Sequence, residues 1–123
     1  MNASWMSLLT SLTLGAGAGA VRAQLHATHV QAAKHLRLVV QTYDANEGRP
    51  LGAIQRAVTP EELEHGLAID VPHMPSVEDP YIVAWVERGA PDLENDGLHA
   101  RPKRGSLVGR ARGDTVSIEL RRS

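Results

Sequence analysis

Apolar residues fall in short blocks separated by turn formers along most of the chain, which is the signature of a protein built from strands. The block at residues 35–43 is rich in β-branched side chains and runs into Asp44, Ala45, Asn46, Glu47, Gly48, Arg49 and Pro50, a cluster that demands a turn. Residues 51–58 resume the extended apolar pattern, so the two stretches are expected to close as an antiparallel hairpin with a longer loop. Residues 67–71 read as a third strand, followed by a loop at 72–80 that holds three prolines. In the next block Tyr81, Val83 and Trp85 point one way and Ile82, Ala84 and Val86 the other, so both faces are apolar and the strand is predicted to be buried on both sides, with the amino-terminal helix on one face or between another sheet and a partner.

One helix is signalled inside this β pattern. Thr59 suits the N-cap, Pro60 the first helical position and Glu62 the third, completing a capping box, and Gly66 offers the backbone freedom needed at the stop. Acidic groups in its first turn also favour the helix dipole, which accounts for Glu61 and Glu62 without catalysis.

The carboxyl-terminal pattern predicts a hairpin across Gly113 and Asp114. With Arg112 opposite Thr115, the pairs Ala111 with Val116, Gly109 with Ile118 and Leu107 with Leu120 all fall on one face. Six strands and a short helix predict a mainly β domain over residues 36–123, an antiparallel sandwich or partly open barrel. A single sheet packed on an amino-terminal helix is the alternative.

Residues 1–21 contain no ionisable side chain, and Trp5, Leu8, Leu9 and Leu12 lead into the small residues from Gly15 to Gly19. Such a segment favours a non-aqueous setting, and three readings stay open. A leader cleaved after residue 23 has the apolar middle and small-x-small site of a signal peptide but no basic start. A membrane span is diluted by Gly, Ser and Thr, although Gly15 and Gly19 are spaced for close helix approach. The third reading is a retained arm that docks into an assembly. Val21, Leu25, Thr28, Ala32, Leu36 and Val39 recur at spacings of three and four, so residues 1–35 are expected to form an apolar, amphipathic helical arm.

Composition narrows the picture further. A chain of 123 residues suits one domain, and with no Phe its core must be filled by Leu, Val, Ile and Ala. The absence of Cys excludes disulfides, thiolate metal sites and cysteine nucleophiles. The net charge of -1 conceals an asymmetry: residues 1–58 hold five basic and two acidic groups, residues 59–96 one and ten, and residues 97–123 seven and two. Internal compensation of the acidic middle by basic partners is the expected outcome.

The connection at residues 87–105 is long enough to invite a functional question. Asp92, Glu94 and Asp96, followed by Gly97, imitate the first half of a calcium loop, but Lys103 stands where the closing Glu belongs. Arg101 and Arg104 head a basic surface that continues through Arg110, Arg112, Arg121 and Arg122. The sequence shows no stacking aromatics or recognition helix beside it, which argues against nucleic acid as partner. His26 and His29 have a metal-ligand spacing on a helix without further ligands nearby, and no motif for a cofactor, a phosphate loop or a nucleophile elbow is present.

The sequence therefore favours a non-enzymatic structural or interaction protein. It is expected to be a small subunit of a larger assembly such as a virus or phage particle or a bacterial surface or secretion apparatus. Its partners would be proteins, copies of itself included, met through Trp5, Leu8, Leu9, Leu12, Gly15 and Gly19 of the arm and through Arg101 and Arg104. An exported β-sandwich binding module with a weak calcium site at residues 92–104 is the alternative.

Overall fold

A computed structural model describes residues 19–46, 48–73, 80–90 and 100–122. They form eight strands and one short helix in the order β1 (Gly19–His26), β2 (Leu36–Asp44), β3 (Pro50–Val58), α1 (Pro60–His65), β4 (Leu67–His73), β5 (Pro80–Arg88), β6 (Leu107–Arg112), β7 (Thr115–Glu119) and β8 (Arg121–Arg122). Two sheets pack face to face, one of three strands in the order β4-β1-β7 and one of five in the order β3-β2-β5-β6-β8. The mainly β expectation holds as a sandwich of two sheets, and the single-sheet alternative does not.

Alternation builds the core. Val21, Ala23 and Leu25 of β1 and Ile69 and Val71 of β4 face Leu36, Leu38 and Val40 of β2 and Ile82, Ala84 and Val86 of β5, all buried in one cluster. Residues at the intervening positions of the small sheet, Arg22, Gln24, Asp70 and Ser117, are exposed. The hairpin of β2 and β3 forms as expected, with an irregularity at Thr42/Tyr43. β5 lies between β2 and β6, and both its faces are covered: Ile82, Ala84 and Val86 pack into the core between the sheets, and Val83 and Trp85 into a second apolar cluster on the opposite face. Leu63 of α1 closes one end of the core, tied there by Ala27 N–H donating to the Leu63 carbonyl at 3.0 Å.

The capping box is present in full. Glu62 N–H donates to Thr59 Oγ1 at 3.2 Å, and Thr59 N–H donates to Glu62 Oε1 at 3.0 Å. Gly66 follows at φ +100°, ψ 129°, a conformation reserved for glycine, although not the left-handed helical one.

Two expectations are corrected. The helical periodicity from Val21 to Val39 is not used: Gly19–His26 is a strand, residues 27–35 are irregular with His29 at φ +57°, and β2 begins at Leu36. The same apolar set also satisfies a period of two through Val21, Ala23, Leu25 and Ala27, and pairing of β1 with β4 and β7 decides in favour of the strand. The helical expectation for residues 1–18 lies outside the described residues.

The second correction concerns the terminal hairpin. β6 belongs to the five-stranded sheet, whereas β7 crosses to the other sheet and pairs with β1 in parallel. Leu120 then carries the chain back, and β8 pairs Arg122 with Leu107 and Arg121 with Val108. Gly109 and Ile118 still meet, but across the sandwich core and not along a ladder.

Candidate functional site

The outer face of the five-stranded sheet is the least ordinary surface of the molecule. Successive outward positions place Val39, Tyr43, Tyr81, Val83, Trp85 and Val108 in a second apolar cluster, with Ala100 packed against it. Trp85 is fully buried there. Both described ends of the β5–β6 connection are tied to this face: Arg37 Nη1 donates to the Ala90 carbonyl at 3.1 Å, and Gln41 Nε2 donates to the Ala100 carbonyl at 2.8 Å.

Between the sheet and the returning segment lies a cleft of about 450 Å³ lined by Gln41, Tyr43, Tyr81, Ala100, Arg101 and Arg110. Tyr43 and Tyr81 are cross-strand neighbours of β2 and β5, with rings stacked at 5.0 Å and 14°. The Tyr43 hydroxyl donates to Gln41 Oε1 at 2.7 Å. Burial pushes the Tyr43 phenol above its ordinary pKa, reinforced by Tyr81 and opposed by the guanidinium groups of Arg101 and Arg110. Tyr43 therefore stays a neutral hydrogen-bonding group at neutral pH. Aromatic surface, an amide and two guanidinium groups converge in one cleft, a combination suited to an anionic group carried on an apolar body.

Basic residues accompany this face: Arg110 and Arg112 stand on it opposite Val83 and Tyr81, and Arg121 opposite Val108, whereas Arg122 pairs with the inward-facing Leu107. Arg101, Lys103 and Arg104 of the preceding segment are exposed. Acidic groups lie among the outlying members: Glu87 lines a cleft with Lys103, Arg104 and Arg122, and Glu119 one with Arg121 and Arg122. Arg22 meets Asp70 at 3.9 Å, Arg56 meets Glu62 at 2.7 Å and Arg37 meets Glu87, so these three acidic groups of the middle pair with cations of residues 1–58. Glu119 is exposed on β7 of the three-stranded sheet and accepts from His26 Nδ1 of the adjacent β1 at 2.7 Å.

A second cleft of about 430 Å³ opens at the end of β5, lined by Gln31, Glu87, Arg88, Lys103, Arg104 and Arg122. Arg37 directs both Nε and Nη2 at Glu87 Oε1, while Glu87 Oε2 and Trp85 Nε1 are buried without a hydrogen-bond partner in the structure.

Of the residues singled out from the sequence, Arg101 lines the tyrosine cleft and Arg104 the second one. Gly19 opens β1 opposite His73. Trp5, Leu8, Leu9, Leu12 and Gly15, and the calcium candidates Asp92, Glu94 and Asp96, lie outside the described residues. Among the described residues no group of three or more His, Asp or Glu is placed to hold a metal, and no helix is long and apolar enough to cross a membrane. His26 and His29 do not share a helix face, because one ends a strand and the other sits in the loop after it. Sequence reasoning missed the tyrosine pair: each Tyr stands near the end of its own strand, and only the β2–β5 register brings them together. Set against family models, curated proteins and solved structures, the chain finds no match.

Proposed function

We propose that this chain is a non-enzymatic interaction protein, a small subunit of a larger assembly, and that the outer face of its five-stranded sheet receives an acidic partner. The observation that carries the reading is the convergence of Arg101 and Arg110 on the stacked Tyr43 and Tyr81 in one cleft. Arginine suits this role because its planar, weakly hydrated fork binds carboxylates in pairs and lies flat on aromatic rings. The uncharged residues 1–18 provide the second attachment, entering the domain directly at β1. The test is the size of the native particle: the wild-type chain elutes well above its own 13.3 kDa, and the Arg101→Glu, Arg110→Glu double variant elutes as a free subunit. Unchanged elution of the folded variant overturns the reading.

Export as a soluble binding module is a second reading, favoured by where β1 begins. The small residues Ala16, Gly17 and Ala18 immediately precede it, so a leader removed after Ala18 leaves the sandwich whole, whereas removal after Ala23 takes five residues of β1. An intact mass starting at Gly19 supports export, and one starting at Met1 rules it out.

A further inference from the structure

The tyrosine cleft is larger than the charge it would meet. At about 450 Å³ it falls in the range of roughly 300 to 1,000 Å³ common for ligand sites, and a carboxylate beside Arg101 or Arg110 fills a small part of it. The remainder is walled by the half-buried Tyr43 and Tyr81, by Val83, and by Ala100 and Pro102 of the returning segment. An occupant that brings an apolar body therefore gains burial against these walls in addition to its charge contact.

The polar groups of the cleft divide into those already engaged and those left for a ligand. Gln41 Nε2 donates to the Ala100 carbonyl at 2.8 Å and Gln41 Oε1 accepts from the Tyr43 hydroxyl at 2.7 Å, so the amide and this phenol are engaged. Neither Arg101 nor Arg110 has an ion-pair partner among the described residues. Arg110 is rooted in β6 opposite Val83 and Arg101 in the segment after Ala100, so positive charge enters both from the sheet and from the chain across it. A ligand thus meets ring and aliphatic carbon, two guanidinium groups and the Tyr81 hydroxyl. A nucleobase carries donors and acceptors around its edge that such walls leave unpaired, whereas a hydrocarbon ring carries none.

We infer that the cleft seats an aromatic side chain of the acidic partner protein together with a carboxylate two positions away on an extended segment; the inference rests on the acidic-partner reading above and names what that reading recognises. Side chains two apart on an extended chain point the same way, so both enter one cleft. The ring adds itself to the Tyr43–Tyr81 stack, which is already formed at 5.0 Å and 14° and needs no rearrangement. The carboxylate meets Arg101 or Arg110 according to the side of the ring on which it lies. Ring and carboxylate are both required, because the ring fills the volume and the charge fixes its position.

The test is an NMR titration of the full chain with the capped pentapeptide Glu-Gly-Phe-Gly-Glu, which offers a carboxylate on either side of the ring. The controls are Glu-Gly-Gly-Gly-Glu, which lacks the ring, Gln-Gly-Phe-Gly-Gln, which lacks the charge, and thymidylate as a nucleotide. The first peptide is expected to bind about tenfold more tightly than any of the other three, with its Phe ring in contact with the Tyr81 ring. Tyr81→Leu keeps the apolar wall and is expected to abolish the advantage of the Phe peptide over its Gly counterpart, whereas Arg110→Gln weakens both acidic peptides alike. Equal affinity of the two acidic peptides for the wild-type chain, or a Phe advantage that survives Tyr81→Leu, overturns this inference and leaves the acidic-partner reading standing. Should Tyr81→Leu fail to fold, the presence or absence of the contact between the Phe and Tyr81 rings in the wild-type complex decides in its place. Equal affinity of the Glu and Gln peptides, tighter binding of thymidylate than of the first peptide, or failure of every peptide to bind overturns both.

Discussion

Gly109 of β6 lies directly under Ile118 of β7, and the contact spans the two sheets. A β-carbon at position 109 would sit 2.3 Å from Ile118 Cγ2, 3.0 Å from the Glu119 carbonyl oxygen and 3.2 Å from Leu120 Cδ2. The missing side chain is what lets β7 leave the plane of β6, cross the core and return as β8. The nearest atom belongs to the buried Ile118 side chain, which must move, and the Glu119 carbonyl oxygen stands at the limit of tight contact. Gly109→Ala is expected to destabilise the fold by about 1 to 3 kcal/mol, read as a lowered urea midpoint with unchanged slope. Ser117→Ala, at an exposed position of β7, is expected to leave the midpoint nearly unchanged.

Arg37 and Glu87 form the most buried ion pair described, with side chains 15% and 7% exposed. Arg37→Ala strands the Glu87 carboxylate with no cation and opens the Ala90 anchor, for an expected loss of roughly 3 kcal/mol. The double variant Arg37→Met, Glu87→Leu restores apolar packing across the same rung and is expected to lose markedly less. A double-mutant cycle in chemical denaturation measures both.

His26 gives the domain a pH dependence of defined sign. Its pKa is raised above the ordinary value of 6.5 by the hydrogen bond to Glu119, against desolvation, with further help from the Glu119 charge and from Glu64. A raised folded-state pKa means that the contribution is fully present below the unfolded-state value and is lost as pH rises through the folded-state value. Stability is therefore expected to fall modestly as pH rises through and above the range where free histidine titrates, and Glu119→Gln is expected to remove that slope. NMR titration of the His26 ring, alongside urea midpoints on both sides of its transition, checks the direction.

The placement of β1 makes its first half indispensable. Residues 19–23 pair with β4, Arg22 and Ala23 pair also with β7, and Val21 and Ala23 are fully buried. A chain beginning at Gly19 is expected to fold. One beginning at Gln24 loses the centre of the small sheet and two core side chains, and is expected to give the collapsed amide dispersion of an unfolded chain in a proton–nitrogen NMR spectrum.

The features legible in the amino-acid order are local. The turn between β2 and β3, the capping box of α1 and the two-faced apolarity of β5 depend on neighbours a few residues apart, where dihedral preferences and single hydrogen bonds decide the outcome. What only the tertiary structure decided is which strand lies beside which. At residues 113–114 the turn chemistry and apolar register fit a flat hairpin well, yet β7 forms its ladder with β1, far away along the chain. In the same way Val21 to Val39 satisfied a helix and a strand equally until β4 and β7 came to lie on either side of β1. A period of two says that a strand has two faces. It does not say which sheet completes them, and so the Tyr43–Tyr81 stack and the cleft it shares with Arg101 and Arg110 exist only once the strands have assembled.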